Sequence, residues 1–274
     1  HTLLAASPRQ MYKSMDAGLT WKPLPIRLIV TPPAEFAKAG AAHSARQTGH
    51  PKQAPRKSAS RSLKPKIVTR EISPSEISAL YFSKSGTKNV FFAATDLGLL
   101  SSLDSGVSWS LANIPGSLAV GALYSAPNAD GHLIARTSAG IFISKDFGDH
   151  WAELPFPLPP SDVNDIAIPA DGSCLLLVAT RVGLYSSPDW GAKWYANAGG
   201  MPASTVTSVI YSAPEQSAFA VEYGRLYQMK NGAESWSEVP TGLPSLRIRQ
   251  LWIPDITSNR IYGITSDLGI LFRN

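Results

Sequence analysis

Four aspartates stand in the same setting. Asp16, Asp104, Asp146 and Asp189 each sit in a Ser-x-Asp-x-Gly-x-x-Trp run, completed by Ser14, Gly18 and Trp21, by Ser102, Gly106 and Trp109, by Ser144, Gly148 and Trp151, and by Ser187, Gly191 and Trp194. Repeated carboxylates invite an acid–base or metal reading, but a reaction needs one constellation and not four equivalent copies. The structural chemistry is simpler. An Asp in a tight turn accepts hydrogen bonds from backbone N–H groups ahead of it. Gly two residues later supplies a backbone conformation that a side chain resists, and Trp buries a large flat surface while keeping an N–H for a partner. Calcium would need several more oxygen ligands than the run provides. Asp149 and His150 beside Asp146 are the alternative, as a metal set. The five histidines have no metal-ligand spacing, so no metal or other cofactor is expected.

A second group of carboxylates lies in short turns: Thr95-Asp96-Leu97-Gly98, Val221-Glu222-Tyr223-Gly224 and Ser266-Asp267-Leu268-Gly269. Asp96, Glu222 and Asp267, with Tyr223, are the catalytic candidates, because glycoside hydrolysis uses two facing carboxylates. The plain alternative is a solvated rim of charged side chains. Arg9, Asp96, Arg181, Glu222, Tyr223 and Asp267 are then binding candidates. No phosphate-cradling glycine loop and no Gly-x-Ser-x-Gly elbow is present.

The elements that position these residues repeat. A worn fifth copy of the motif ends at Trp236, and the last four motif tryptophans are 42, 43 and 42 residues apart. Such a period means stacked supersecondary units. From residue 75 each unit reads as four short strands. The first are Ala79–Phe82, Ala122–Tyr124, Asp165–Ile168, Val209–Tyr211 and Leu251–Ile253, and the fourth begins at each motif Trp. Four antiparallel strands in about forty residues is one propeller blade. The reading is therefore all-β: a β-propeller with four complete blades and partial blades at both termini. Upstream blades absent from this chain would complete it. The chain opens at His1 without Met, as a piece of something longer would.

The net charge of +5 is uneven. Residues 26–75 hold ten Lys/Arg against two Glu, leaving 15 basic and 18 acidic residues elsewhere. Three segments follow: a partial blade over 1–31, a basic Pro/Ala/Ser-rich insertion over 32–72, and further blades over 73–274. The insertion has too few large apolar residues to fold alone and is expected to be disordered, as a tether or a contact for an acidic partner. Within its approach, Arg27–Thr31 reads as one more strand. Lacking interleaved aromatics, its Lys/Arg run argues against nucleic acid. Cys174, the only cysteine, reads as a buried thiol in a strand, and no apolar run is long enough to span a membrane.

The four intact motifs in register resemble the Asp-box (BNR) repeats of sialidases, xyloglucanases, the sortilin ectodomain and photosystem II assembly-factor-like propellers. The resemblance covers nearly everything but residues 26–74. It implies the propeller fold and, less directly, an extracytoplasmic location. It says little about activity, because such propellers differ in what they do. Sialidases pair a Tyr with a Glu, as at Tyr223 and Glu222, and converge three arginines on a carboxylate. Arg9, Arg136, Arg181 and Arg225 are nearby, although Arg225 is expected to point away. The favoured reading is a non-catalytic propeller that binds a protein or glycan on the face carrying the turns between second and third strands. The alternatives are a secreted glycoside hydrolase, or a degenerate relative of one, and a purely structural module.

Overall fold

The computed structural model describes residues 2–30, 68–85, 88–116, 119–125, 131–169, 175–196, 201, 203–230, 233, 235–240, 247–253, 260–266 and 269–273. Asp267, Cys174, Gly232, Thr31 of the expected strand and residues 32–67 of the expected insertion lie outside them.

Strands succeed one another as antiparallel meanders. The first sheet holds β1 (Leu3–Ser7), β2 (Gln10–Ser14) and β3 (Lys22–Leu24). A separate pair, β4 (Ile26–Val30) and β5 (Val68–Ile72), follows. The first four-stranded sheet is β6 (Ile77–Ser85), β7 (Lys88–Thr95), β8 (Gly98–Ser102) and β9 (Ser110–Leu111). The second is β10 (Val120–Ser125), β11 (Leu133–Thr137), β12 (Ile141–Ser144) and β13 (Ala152–Glu153). The third is β14 (Val163–Ala167), β15 (Leu176–Thr180), β16 (Gly183–Ser187) and β17 (Tyr195–Ala196). The fourth is β18 (Val206–Ser212), β19 (Ser217–Glu222), β20 (Arg225–Lys230) and β21 (Ser237–Val239). A three-stranded sheet of β22 (Ile248–Trp252), β23 (Ile261–Thr265) and β24 (Ile270–Arg273) ends the chain. This is a β-propeller fold.

Apolar residues bury between successive sheets, so the second strands read as short continuous apolar runs. Leu176–Ala179 is buried throughout, as expected of a strand covered on both faces. Each boundary forms one cluster. Phe92 and Leu99 of one sheet pack with Leu123, Leu133 and Trp151 of the next. Trp109 likewise packs against Met11, Leu4 and Leu24 of the first sheet and is fully buried. Trp109 and Trp151 thus plug their blades against the preceding ones, and truncating either to Ala would cost roughly 3–5 kcal/mol.

The motif turns share one geometry. In the second four-stranded sheet the Ser144 hydroxyl donates to Asp146 Oδ1 (2.9 Å) and accepts the Gly148 N–H (2.8 Å). Asp146 Oδ1 also accepts the His150 N–H at 2.9 Å. The same bonds recur around Asp16, Asp104 and Asp189. Phe147 and Gly148 hold φ of 62° and 85°, the left-handed region that makes Gly the fitting residue there. These carboxylates lie apart, each within its own turn.

Two motif positions, Trp21 and Gly191, depart from the uniform roles expected of them. Trp21 does not bury its ring as a motif Trp should: it is 41% exposed. Among the described residues no sheet stands in front of the first one to cover it, and the nearest cover is its own turn at Gly18. Gly18 keeps the motif bond, its N–H donating to Ser14 Oγ at 2.8 Å, and holds φ of 94°. A Cβ there would meet only Leu3 and Trp21, at the ordinary distances of 3.5 and 3.8 Å, so the backbone alone calls for glycine. Gly191 differs, because the turn conformation is only half of its role. Its N–H donates to Ser187 Oγ at 2.7 Å, but it is buried against the preceding blade, where an added Cβ would collide with the Leu154 side chain. Glycine at 191 is therefore required for close approach between blades as well as for its φ of 87°.

Residues 68–72, expected within the insertion, instead form β5. Val68 and Ile72 stand opposite Val30 and Ile26, and the pair docks on the edge of the first four-stranded sheet. The Trp109 N–H donates to Arg27 O and the Ile29 N–H to Trp109 O, both at 2.8 Å. Ile26, Leu28 and Ile72 join the Trp109 cluster, filling the boundary with the first sheet. Partner strand and apolar contacts together compensate the ordering entropy that so polar a segment could not offset alone.

Candidate functional site

The turns between second and third strands gather at one end of the molecule, stitched to the entries of the first strands. Ile77 N–H donates to Pro8 O (2.7 Å), Arg181 N–H to Asp162 O (2.9 Å) and Ile248 N–H to Gly224 O (3.1 Å). Thr205 Oγ1 donates to Arg181 O at 2.9 Å. The motif turns lie at the other end, where Phe147 N–H meets Gly131 O beyond the first strand.

A hydroxyl closes most of these turns from within. Thr95, Thr137 and Thr180 donate to the carbonyls of Gly98, Gly140 and Gly183, and Thr265 to that of Gly269. Glu222 occupies the equivalent position in β19 and cannot do the same. It is 3% exposed, and its Oε1 accepts the Ser204 hydroxyl in the approach to β18. Tyr223 follows with φ of 46° and 63% of its surface exposed. A non-glycine residue held there is strained, and such strain tends to collect at binding sites. Arg247 Nη1 donates to Tyr223 O at 3.3 Å.

Asp96 is engaged too. Its Oδ2 accepts the Ser75 hydroxyl and N–H, and its Oδ1 the Glu76 N–H at 3.2 Å. The Ser75 hydroxyl first, then these amides, hold its carboxyl below the usual range against a smaller opposing effect of burial. Arg9, Arg181 and Tyr223 project outward. Arg225 crosses to the outer strand and meets Glu238 at 3.5 Å. Asp96 and Glu222 are thus each tied to the entry of their own blade's first strand and not to one another. The third carboxylate candidate, Asp267, lies outside the described residues.

A polar group on the first strands completes this end. Each first strand from β6 onward carries a bulge, at Ser78, Gly121, Asn164, Thr207 and Arg249. Across the blade boundaries Ser78 Oγ donates to Val120 O (3.1 Å) and Asn164 Nδ2 to Val206 O (2.7 Å). One residue on, Asp165 Oδ2 accepts the Ser208 hydroxyl (2.7 Å) and the Val209 N–H (3.1 Å). Ser208 Oγ in turn accepts the Leu251 N–H at 3.1 Å. Crowding by protein pushes the Asp165 carboxyl up, against these donors and the nearby Arg136 charge. Arg136 runs past Gly121, where an added Cβ would meet its Nη2 at 3.8 Å, and reaches the Tyr124 hydroxyl. Its Nε is buried without a hydrogen-bond partner. Burial and the Asp165 charge raise the Tyr81 hydroxyl to about 12, and Tyr124 is raised likewise.

Sequence reading placed Arg136 only loosely and passed over Asp165 altogether. A signal was available: the repeats carry Ala79, Ala122, Asp165, Ser208 and Gln250 at one position, and Ala94, Arg136, Ala179, Val221 and Ile264 at another. Charge where the other copies are uncharged marks both.

No protein-family model matches the sequence, and neither does any curated protein. Among solved structures, YCF48 from Cyanidioschyzon merolae superposes with a TM-score of 0.57 at 13% identity, over 96% of this chain and 73% of that one. YCF48 bound to D1 peptide gives 0.50 at 17% identity, over 72% and 63%. An ancestral GH74 enzyme gives 0.51 at 16% identity over 72% of this chain, which spans 31% of the enzyme's length. At these identities the likeness fixes the fold alone.

Proposed function

We propose that this chain is a non-catalytic propeller of the Asp-box (BNR) type that binds a protein or glycan on the face carrying the turns between second and third strands. The reading rests chiefly on the state of the carboxylates there. Glycoside hydrolysis needs one carboxyl able to give a proton and another facing it across the scissile bond. Asp96 and Glu222 are occupied with hydroxyl and amide donors of their own blades. Exposed side chains (Arg9, Arg181 and the strained Tyr223) remain for contact, on loops held by a rigid scaffold. That one structural neighbour is a propeller solved with a peptide accords with a peptide or protein ligand. An extracytoplasmic location, and an acidic partner for the basic segment, belong to the same proposal.

The test is turnover. Incubation with xyloglucan oligosaccharides and aryl sialosides should release no product above the uncatalysed rate. Hydrolysis lost on Asp96→Asn or Glu222→Gln would replace this reading with a glycosidase.

A further inference from the structure

Three of the motif tryptophans show where their indole N–H goes, and one breaks the pattern. Trp109 Nε1 donates to Gly106 O (3.1 Å) and Trp151 Nε1 to Gly148 O (3.0 Å), each inside its own turn. Trp194 Nε1 donates instead to Pro155 O at 2.8 Å, 39 residues upstream and in the linker that leaves the preceding blade. Phe156 stands edge-on to Trp194, with ring centroids 4.7 Å apart and planes at 82°, and edge-on to Tyr185 at 5.4 Å. Between β13 and this turn opens a cleft of about 520 Å³, lined by Glu153, Pro155, Phe156, Pro157, Pro160 and Trp194 among others. That volume suits a ligand side chain with its flanking backbone.

We propose that this cleft docks an extended, proline-rich peptide bearing an arginine or lysine. Its lining side chains are apolar apart from Glu153, the one ionisable residue among them, and the Trp194 indole. The prolines have no N–H, and the indole N–H is already spent on Pro155. The side chains therefore offer an acceptor and a negative charge but no free donor, which favours a ligand that brings donors and positive charge. Crossed aromatic rings beside prolines form the kind of groove that takes a polyproline II backbone, whose shape is set before binding. A cationic side chain beside it would meet both Glu153 and the Trp194 ring face. A glycan is served less well, since a ring of hydroxyls would find a single polar side chain. This surface adjoins the turn face of the preceding proposal, since Ala139 and Gly140 of the turn between β11 and β12 also line it, but its test changes Glu153 and Phe156 and asks nothing of Arg181 or Tyr223, so either reading can fail without the other.

Fluorescence anisotropy of a short labelled Pro-x-x-Pro peptide with one arginine, titrated with the whole chain, reads the site directly. Saturable binding is expected. Changing the peptide arginine to glutamate, or the protein by Glu153→Arg, should each weaken it at least about tenfold. The two changes together should restore part of the loss. Phe156→Ala should weaken binding as well, with the melting temperature recorded to separate lost docking from lost fold. Absence of saturable binding, indifference to both charge changes, or preferential capture of a xyloglucan oligosaccharide would overturn the proposal.

Discussion

The Ser208 hydroxyl donates to the Asp165 carboxylate at 2.7 Å across a blade boundary, from the equivalent position one repeat later. Ser208 then accepts the Leu251 N–H, so two side chains tie three consecutive first strands together. Because these strands also carry the bulges, the joint fixes their relative height at the end where the turns between second and third strands gather.

That joint titrates. The Asp165 carboxyl is raised in the folded protein, chiefly by burial. Its folded pKa lies above the unfolded value of about 3.9, so its contribution is fully present below that value and is lost as pH rises through the folded pKa. Asp165→Asn removes the dependence. The melting temperature of the native chain, relative to the variant, should therefore fall as pH rises from about 4 towards neutrality. A difference independent of pH would show that this carboxyl does not titrate in the folded protein.

The motif turns respond in the opposite sense on the acid side. Burial pushes the Asp146 carboxyl up, but hydrogen bonds from the His150 amide and ring, then Ser144, together outweigh it and hold the group low. The bond to Asp146 in turn holds His150 high. The Asp146 contribution is present above about pH 3.9 and disappears as pH falls through its lowered pKa. The His150 contribution is present below about pH 6.5 and disappears as pH rises through its raised value. Asp146→Ala should cost about 1–2 kcal/mol in denaturant unfolding, the size of a lost capping side chain. His150→Ala should cost much less, since that exposed pair is screened by water. Equal costs would mean that the ion pair, and not the backbone bonds, carries the turn.

The hairpin of β4 and β5 yields a third expectation. Val30 and Val68 stand directly opposite each other, so a short Asn-Gly turn can join them in place of residues 31–67. The melting temperature should move by only a few degrees, and any binding to acidic partners should lose its steep salt dependence. Ile72→Ser, which empties an apolar contact beside Trp109, should instead destabilise by roughly 2–4 kcal/mol. If the excision proved as damaging as Ile72→Ser, the removed residues would have to pack as part of the core.

How much of this was legible depended on whether one residue or a pair carried the information. Ser144, Asp146, Gly148 and Trp151 announce their turn because every interaction falls within a few residues and the pattern recurs. What lies across a blade boundary was not legible: Trp21 and Trp109 match the motif equally, yet among the described residues only Trp109 has a sheet to pack against. Gly191 likewise reads as a turn glycine, although Leu154 of the preceding blade also demands it. Glu222 was noticed for its charge, but its bond to Ser204 depends on how β18 approaches β19. The strand at Val68–Ile72 has polar residues at its centre and exists because Ile26–Val30 and the edge at Trp109 receive it. Asp165 looked like an ordinary strand residue, since its partner comes 43 residues later. Trp194 matched its motif perfectly, yet its N–H went to Pro155, a choice made by the linker between blades.

The central claim is that recognition takes place on the turn face, and a peptide and glycan array probed with three forms of the chain tests it most directly. The forms are the native chain, an Arg181→Glu/Tyr223→Ser variant on the turn face, and a Lys145→Glu/Lys193→Glu variant in the motif turns. Ligands bound by the native chain should be lost, by about tenfold or more, with the first variant and kept by the second. Retention by the turn-face variant, with loss in the motif-turn variant, would contradict the account.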